Sequence, residues 1–114
     1  MKILNLTERP ATQEQKELGV FDLSDQEREL LIDALTFDEC PTIQIQVDGP
    51  KSIYNRARRI VDLTRGKTFD KVMIDGPPYF MPQLQYNLDV VEDFSVVYPY
   101  YNKQGVFGGL VDFS

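Results

Sequence analysis

Histidine and tryptophan are absent from this chain, cysteine occurs once, and no apolar run approaches the roughly 20 residues of a membrane-spanning helix. Without histidine the commonest general base is missing. Ser-His-Asp and Cys-His nucleophile systems are excluded, as is every zinc site that needs imidazole. The lone Cys40 rules out an intrachain disulfide and a cysteine metal cluster, and an unpaired thiol fits a reducing compartment. Neither G-x-G-x-x-G nor G-x-x-x-x-G-K-[ST] occurs, which disfavours dinucleotide or ATP binding of those two kinds. No metal and no cofactor is expected. The opening MKILNLTERPAT has too short an apolar core for a signal peptide, so the expectation is a cytoplasmic protein with no membrane contact.

What is present suffices for one core. The 114 residues are 42% apolar, with 7 Phe and 6 Tyr. They are read as a single domain, 1–114, of a size that buries roughly two thirds of its unfolded surface. The net charge of −6 argues against binding double-stranded nucleic acid, which needs a basic surface, but leaves room for one basic pocket. The charge is segregated. Lys51 to Lys71 holds seven bases and two acids, a local +5 against −11 for the remainder, whereas Asp22 to Glu39 holds seven acids and one base.

Ile3, Leu4 and Leu6 in KILNLT predict a strand ending at Thr7. Thr12 and Gln15 have capping-box spacing and open a short helix, 12–18, that Gly19 stops. Val20, Phe21 and Leu23 make a second short strand or extended connection. Ser24 and Glu27 repeat the capping box, and the apolar face Leu30, Leu31, Ala34, Leu35 predicts a helix over 25–36. Ile43, Ile45 and Val47 alternate like a strand. Pro50 opens a third helix with the stripe Ile53, Ala57, Ile60, Val61, Thr64, stopped by Gly66. Its basic outer face reads as solvated, with Arg58 and Asp62 an i,i+4 pair. KVMID (71–75) has the unbroken apolar centre of a strand buried on both faces. After Gly76-Pro77-Pro78, residues Tyr79 to Leu88 predict a fourth helix in which Pro82 must lie in the first turn. Phe94–Tyr98 is a strand, and the loop 102–105 joins it to Val106–Phe113 in an antiparallel hairpin, with Gly108-Gly109 as a bulge or close approach. The order implies a small, open, mostly parallel α/β sheet of Rossmann-like kind, with helices on both faces and a C-terminal hairpin.

Such sheets place ligands at the C-terminal ends of their parallel strands. Two segments qualify: Asn5, Thr7, Arg9 and Thr12 after the first strand, and Asp75, Gly76, Pro77, Pro78 and Tyr79 after the buried one. The helix starts that follow offer N–H groups to a phosphate or other anion. Each segment is equally readable as a tight turn, with Asn5 and Thr7 satisfying local backbone groups and the prolines adding rigidity. Asp75 is the carboxylate whose position most favours function.

Three segments, ILNLTERPATQEQKELGVFDL, RARRIVDL and MIDGPPYFMPQLQYNL, resemble in order and spacing a family of small uncharacterised bacterial and phage proteins. That family in turn is similar to the compact Rossmann-like proteins of CRISPR neighbourhoods proposed to bind or cleave cyclic oligoadenylate messengers, the ring nucleases. The resemblance implies a nucleotide site on Asn5, Thr7, Asp75, Gly76, Pro77 and Pro78, and binding of a cyclic oligonucleotide in antiviral signalling. At Arg9 related chains often carry His, so the resemblance supports binding more than metal-independent cleavage, for which Arg9 is the one catalytic candidate. A symmetric ligand would match a homodimer. A second hypothesis is a small acidic phage-type inhibitor that covers a basic surface of a host defence complex through Asp25, Glu29 and Asp33. A third is a scaffolding protein that pairs through its hairpin edge.

Overall fold

A computed structural model describes residues 1–38 and 52–112. Cys40, the alternating stretch 43–47 and Pro50 lie outside the described residues. The elements run β1 (Ile3–Leu6), α1 (Gln13–Glu17), β2 (Val20–Asp22), α2 (Asp25–Leu35), α3 (Ile53–Asp62), β3 (Lys71–Ile74), α4 (Met81–Gln85), a π-helical turn (Tyr86–Val91), β4 (Ser95–Tyr101) and β5 (Phe107–Asp112).

The five strands form one open sheet in the order β2-β1-β3-β4-β5, parallel throughout except for the β4–β5 hairpin. Alternation along each strand divides the side chains between two faces. Leu4, Leu6, Val72, Ile74 and Val96 point into the main core, which α2, α3 and α4 cover with Leu31, Ile60, Phe80 and Leu84. Ile3, Met73 and Val97 point the other way into a smaller cluster with Ala11, at the entrance to α1. Helices therefore flank both faces, but unequally. The central strands β1 and β3 are buried on both sides, as the apolar run of KVMI requires.

Both predicted capping boxes form, Thr12 with Gln15 and Ser24 with Glu27, and Gly19 ends the first helical segment at φ 101°. Pro82 lies in the first turn of α4, where its missing N–H breaks no bond. This fourth helix starts later than expected and passes into a π-helical turn. There Asn87 Nδ2 donates to the Gln83 carbonyl, competing with the backbone ladder, and Glu92 N–H reaches back to Asn87 O. Strand β4 extends three residues beyond the expected Tyr98. Its pairing with β3 ends at Val97, so Pro99 stands where the strand has one neighbour and proline is tolerated. The bulge falls at the expected glycines: Tyr100 pairs with Gly109 and Tyr101 with Phe107, leaving Gly108 over. A Cβ on Gly108 would lie 2.7 Å from Tyr100 Cδ1, so only glycine lets that ring lie against the strand.

The segregated charges meet at the surface where α3 and the turn after it pack beside α2. Arg56 on α3 donates through Nη1 to the carbonyls of Asp33 (2.7 Å) and Thr36 (2.9 Å), capping the C-terminus of α2, whose own last turn carries no base. Its guanidinium also lies 4.4 Å from the Phe37 ring centroid. Arg59 pairs with Asp33 at 2.7 Å and Lys67 with Glu27, and each base holds its acid's carboxyl below the usual carboxylate range. Arg58 turns to Asn87 and Glu92 rather than forming the expected pair with Asp62, and Arg65 also reaches Glu92. The basic face of α3 is thus partly solvated, as expected, but most of its bases are also tied to neighbouring elements. Replacing Arg56 with Ala should lower unfolding stability by about 1.5–3 kcal/mol, with Lys restoring only part of it because an ammonium has no flat face to lie over the Phe37 ring. Urea denaturation of the three proteins checks this, and equal midpoints would contradict the capping role.

Candidate functional site

Strand β1 pairs with β2 on one side and β3 on the other, and the chain leaves β1 toward β2 but leaves β3 toward β4. Between two connections that diverge, the C-terminal ends of β1 and β3 are left uncovered by the described residues, the switch-point crevice of open α/β sheets. A cavity of about 400 Å³ occupies that place. Thr7, Glu8 and Arg9 line it from the β1 side, and Asp75, Gly76 and Pro77 from the β3 side. Leu35 at the end of α2 and Pro99 and Tyr101 of the overhanging β4 complete its walls. A second cavity of about 330 Å³ adjoins it and shares Thr7, Arg9 and Tyr101, adding Pro10, Thr12, Gln15 and Gly105.

The β1 turn is fixed by one buried side chain. Asn5 Nδ2 donates to Arg9 O and to Asp22 Oδ1, both at 2.8 Å, and its Oδ1 accepts from Thr7 N (2.9 Å) and Thr7 Oγ1 (2.6 Å). Asp22 Oδ1 also accepts from Ala11 N at 2.9 Å. Asn5 is therefore committed to the turn, and Thr7 largely so. They shape the site by holding Glu8 and Arg9 at its rim. Thr12 lines the second cavity while capping α1. Pro78 and Tyr79 lie away from both cavities, and Tyr79 packs edge-on against Phe37 at 5.5 Å.

The anion-binding amides expected at the DGPP turn are largely used up. Pro77 and Pro78 have no N–H, the Gly76 amide bonds to the Asp75 carboxylate, and the Phe80 and Met81 amides both donate to Pro77 O. Positive charge at the site comes instead from Arg9. Among the described residues, Arg28, Arg56, Arg58, Arg59 and Arg65 each contact a carboxylate or carbonyl, whereas the Arg9 guanidinium meets no acceptor. Of the acidic residues proposed for partner capture, Asp33 is held by Arg59 and Asp25 lies 3.7 Å from Arg28, while Glu29 is exposed.

Asp75 opens onto the cavity, yet partial burial pushes its carboxyl above the usual range, opposed by the Gly76 amide and assisted by the negative charge of Glu8. Tyr98, whose hydroxyl donates to Gln85 Oε1 at 2.6 Å, is also pushed up by burial and by the charge of Asp75. Glu8, Leu35, Pro99 and Tyr101 were not singled out by sequence. Glu8 lies inside an already suspected turn, but Tyr101 reaches the site only because β4 outruns β3. Among the described residues, no group of three or more His, Cys, Asp or Glu is placed to hold a metal, and no helix is long and apolar enough to cross a membrane.

A raised carboxyl pKa means that between the ordinary and raised values the folded state holds more proton than the unfolded one, so this group's contribution to stability falls as pH rises through that window. Asp75→Asn should therefore raise the melting temperature at pH 7, with the gain vanishing toward pH 3, as scanning calorimetry at both values would show. No gain at pH 7 would contradict it. Compared with protein-family models, curated proteins and solved structures, the chain matches none.

Proposed function

We propose that the protein binds a nucleotide-class ligand at the switch-point crevice, with cyclic oligoadenylate messengers of antiviral signalling as the specific ligands and a homodimer as the unit that matches their symmetry. The observation that carries the reading is Arg9, a guanidinium with no acceptor among the described residues, at the junction of two cavities beside the ends of β1 and β3. A planar fork of N–H donors suits a phosphodiester. Glu8 and Asp75 on the same cavity supply acceptors for ribose hydroxyls or an exocyclic amine, and the exposed Tyr101 ring offers a face for a base.

Binding is favoured over turnover. Cleavage at this site would have no histidine and would depend on holding a ribose 2′-OH in line with its phosphate while Arg9 stabilises the phosphoryl oxygens. For the acidic-inhibitor alternative, Asp33 is engaged by Arg59 of its own chain, while Asp25 and Glu29 stay exposed.

Calorimetric titration with AMP, cyclic dinucleotides and cyclic tri-, tetra- and hexa-adenylate tests the proposal. At least one ligand should bind tighter than millimolar, and Arg9→Ala should weaken it about 10- to 100-fold, the loss of a charge-assisted contact of about 1.5–3 kcal/mol. Arg9→Lys should fall between. A panel that binds nowhere better than millimolar, or affinity indifferent to Arg9, would overturn the assignment.

A further inference from the structure

The two cavities differ in chemistry while sharing one seam. The first carries both carboxylates, Glu8 and Asp75, against the apolar surfaces of Leu35, Pro77 and Pro99. The second has no carboxylate and, apart from the shared Arg9, is lined by neutral groups, among them Thr12, Gln15 and Pro10. Each volume alone, about 400 and about 330 Å³, lies near the low end of the roughly 300–1,000 Å³ typical of small-molecule sites. At the seam stand Arg9 and Tyr101, and Tyr101 is fixed there from two directions. Its hydroxyl accepts from Gln15 Nε2 at 3.3 Å, and its ring meets Phe107 edge-on at 5.9 Å. The loop behind it is also held, since Asn102 Oδ1 accepts from the amides of Gln104 and Val106, both at 2.9 Å.

Resting on the nucleotide reading above, we infer that the crevice has two subsites and takes two nucleoside units joined by one phosphodiester. The linking phosphate lies against Arg9, one unit occupies the Glu8–Asp75 cavity and the other the Thr12–Gln15 cavity. The division of charge orients the ligand. Ribose hydroxyls or an amino group, which donate, suit the acidic subsite, while the neutral subsite accepts a ring without demanding a donor. Placing the single described free guanidinium at the seam puts the positive charge where a linked pair has its only negative one. A mononucleotide fills half of this arrangement, and its terminal phosphate, with a larger negative charge, lies nearer Glu8 and Asp75.

The test compares adenylyl-3′,5′-adenosine with 5′-AMP on the intact protein, by calorimetry and by amide chemical shifts. The dinucleoside phosphate should bind at least tenfold tighter. It should shift the amides of Thr7, Asp75 and Gly76 together with those of Thr12, Gln15 and Gly105, whereas AMP shifts mainly the first set. Thr12→Asn keeps a helix-capping side chain but adds bulk in the second cavity. It should bring the dinucleoside phosphate down to the AMP affinity and leave AMP unchanged. Equal affinity of the two probes with shifts confined to one set would overturn the two-subsite inference and leave the nucleotide reading standing. Binding of neither probe, with no shift at either set, would overturn both.

Discussion

Because β1 is hydrogen-bonded in parallel to β2 on one side and β3 on the other, the strand order turns back on itself at the centre of the sheet. A parallel strand needs a crossover to its neighbour, and here the crossovers leave the two central strands in opposite directions. The C-terminal ends of β1 and β3 are left side by side, with no covering element among the described residues. Most of the first cavity sits in that gap or on the part of β4 that outruns its partner, with Leu35 of α2 closing one wall. The same order divides the packing: α2, α3 and α4 close the main core on one face, while a smaller cluster on the other takes in Ala11, just before α1.

The gap keeps its form through a few polar contacts that replace solvent. Asn5 is almost fully buried, and its amide makes four hydrogen bonds that tie the chain leaving β1 to itself and, through Asp22, to β2. A buried amide left unpartnered costs more than the bonds contribute net, so this node enforces one turn geometry. The other described arginines contact groups within the chain, with Arg56 of α3 supplying the cation that α2 lacks at its C-terminus. Arg9 stands outside this economy of pairs. Asp75 likewise sits where its charged form is disfavoured, a departure from local consistency of the kind found at functional positions.

Much of the architecture was legible in the sequence because it rests on local rules. Capping boxes at Thr12 and Ser24, the double-sided apolar run Val72–Ile74 and the turn residues after β3 each specify an element with few neighbours involved. Legibility ended where tertiary partners decide. Nothing local shows that β3 stops pairing at Val97, so the reach of β4 through Pro99 to Tyr101 was missed, and with it a wall of the site. The basic run of α3 gave the sign of its charge but not its destination, which depends on the packing of α3 against α2. Asn5 and Thr7 lie in the turn after β1 that the sequence singles out. Their hydrogen bonds make them supports for Glu8 and Arg9 rather than groups open to a ligand. Likewise the DGPP turn was found, but its two prolines and the Pro77 carbonyl leave few amides to receive an anion.

The claim that joins these observations is that the gap between β1 and β3 receives a nucleotide through Arg9. A crystal structure grown with adenylyl-3′,5′-adenosine tests it most directly. The account predicts density for the phosphate within hydrogen-bonding distance of the Arg9 guanidinium and for a sugar or base edge facing Asp75. Ligand density seated elsewhere on the molecule, with the crevice between Thr7 and Gly76 holding only solvent, would contradict it.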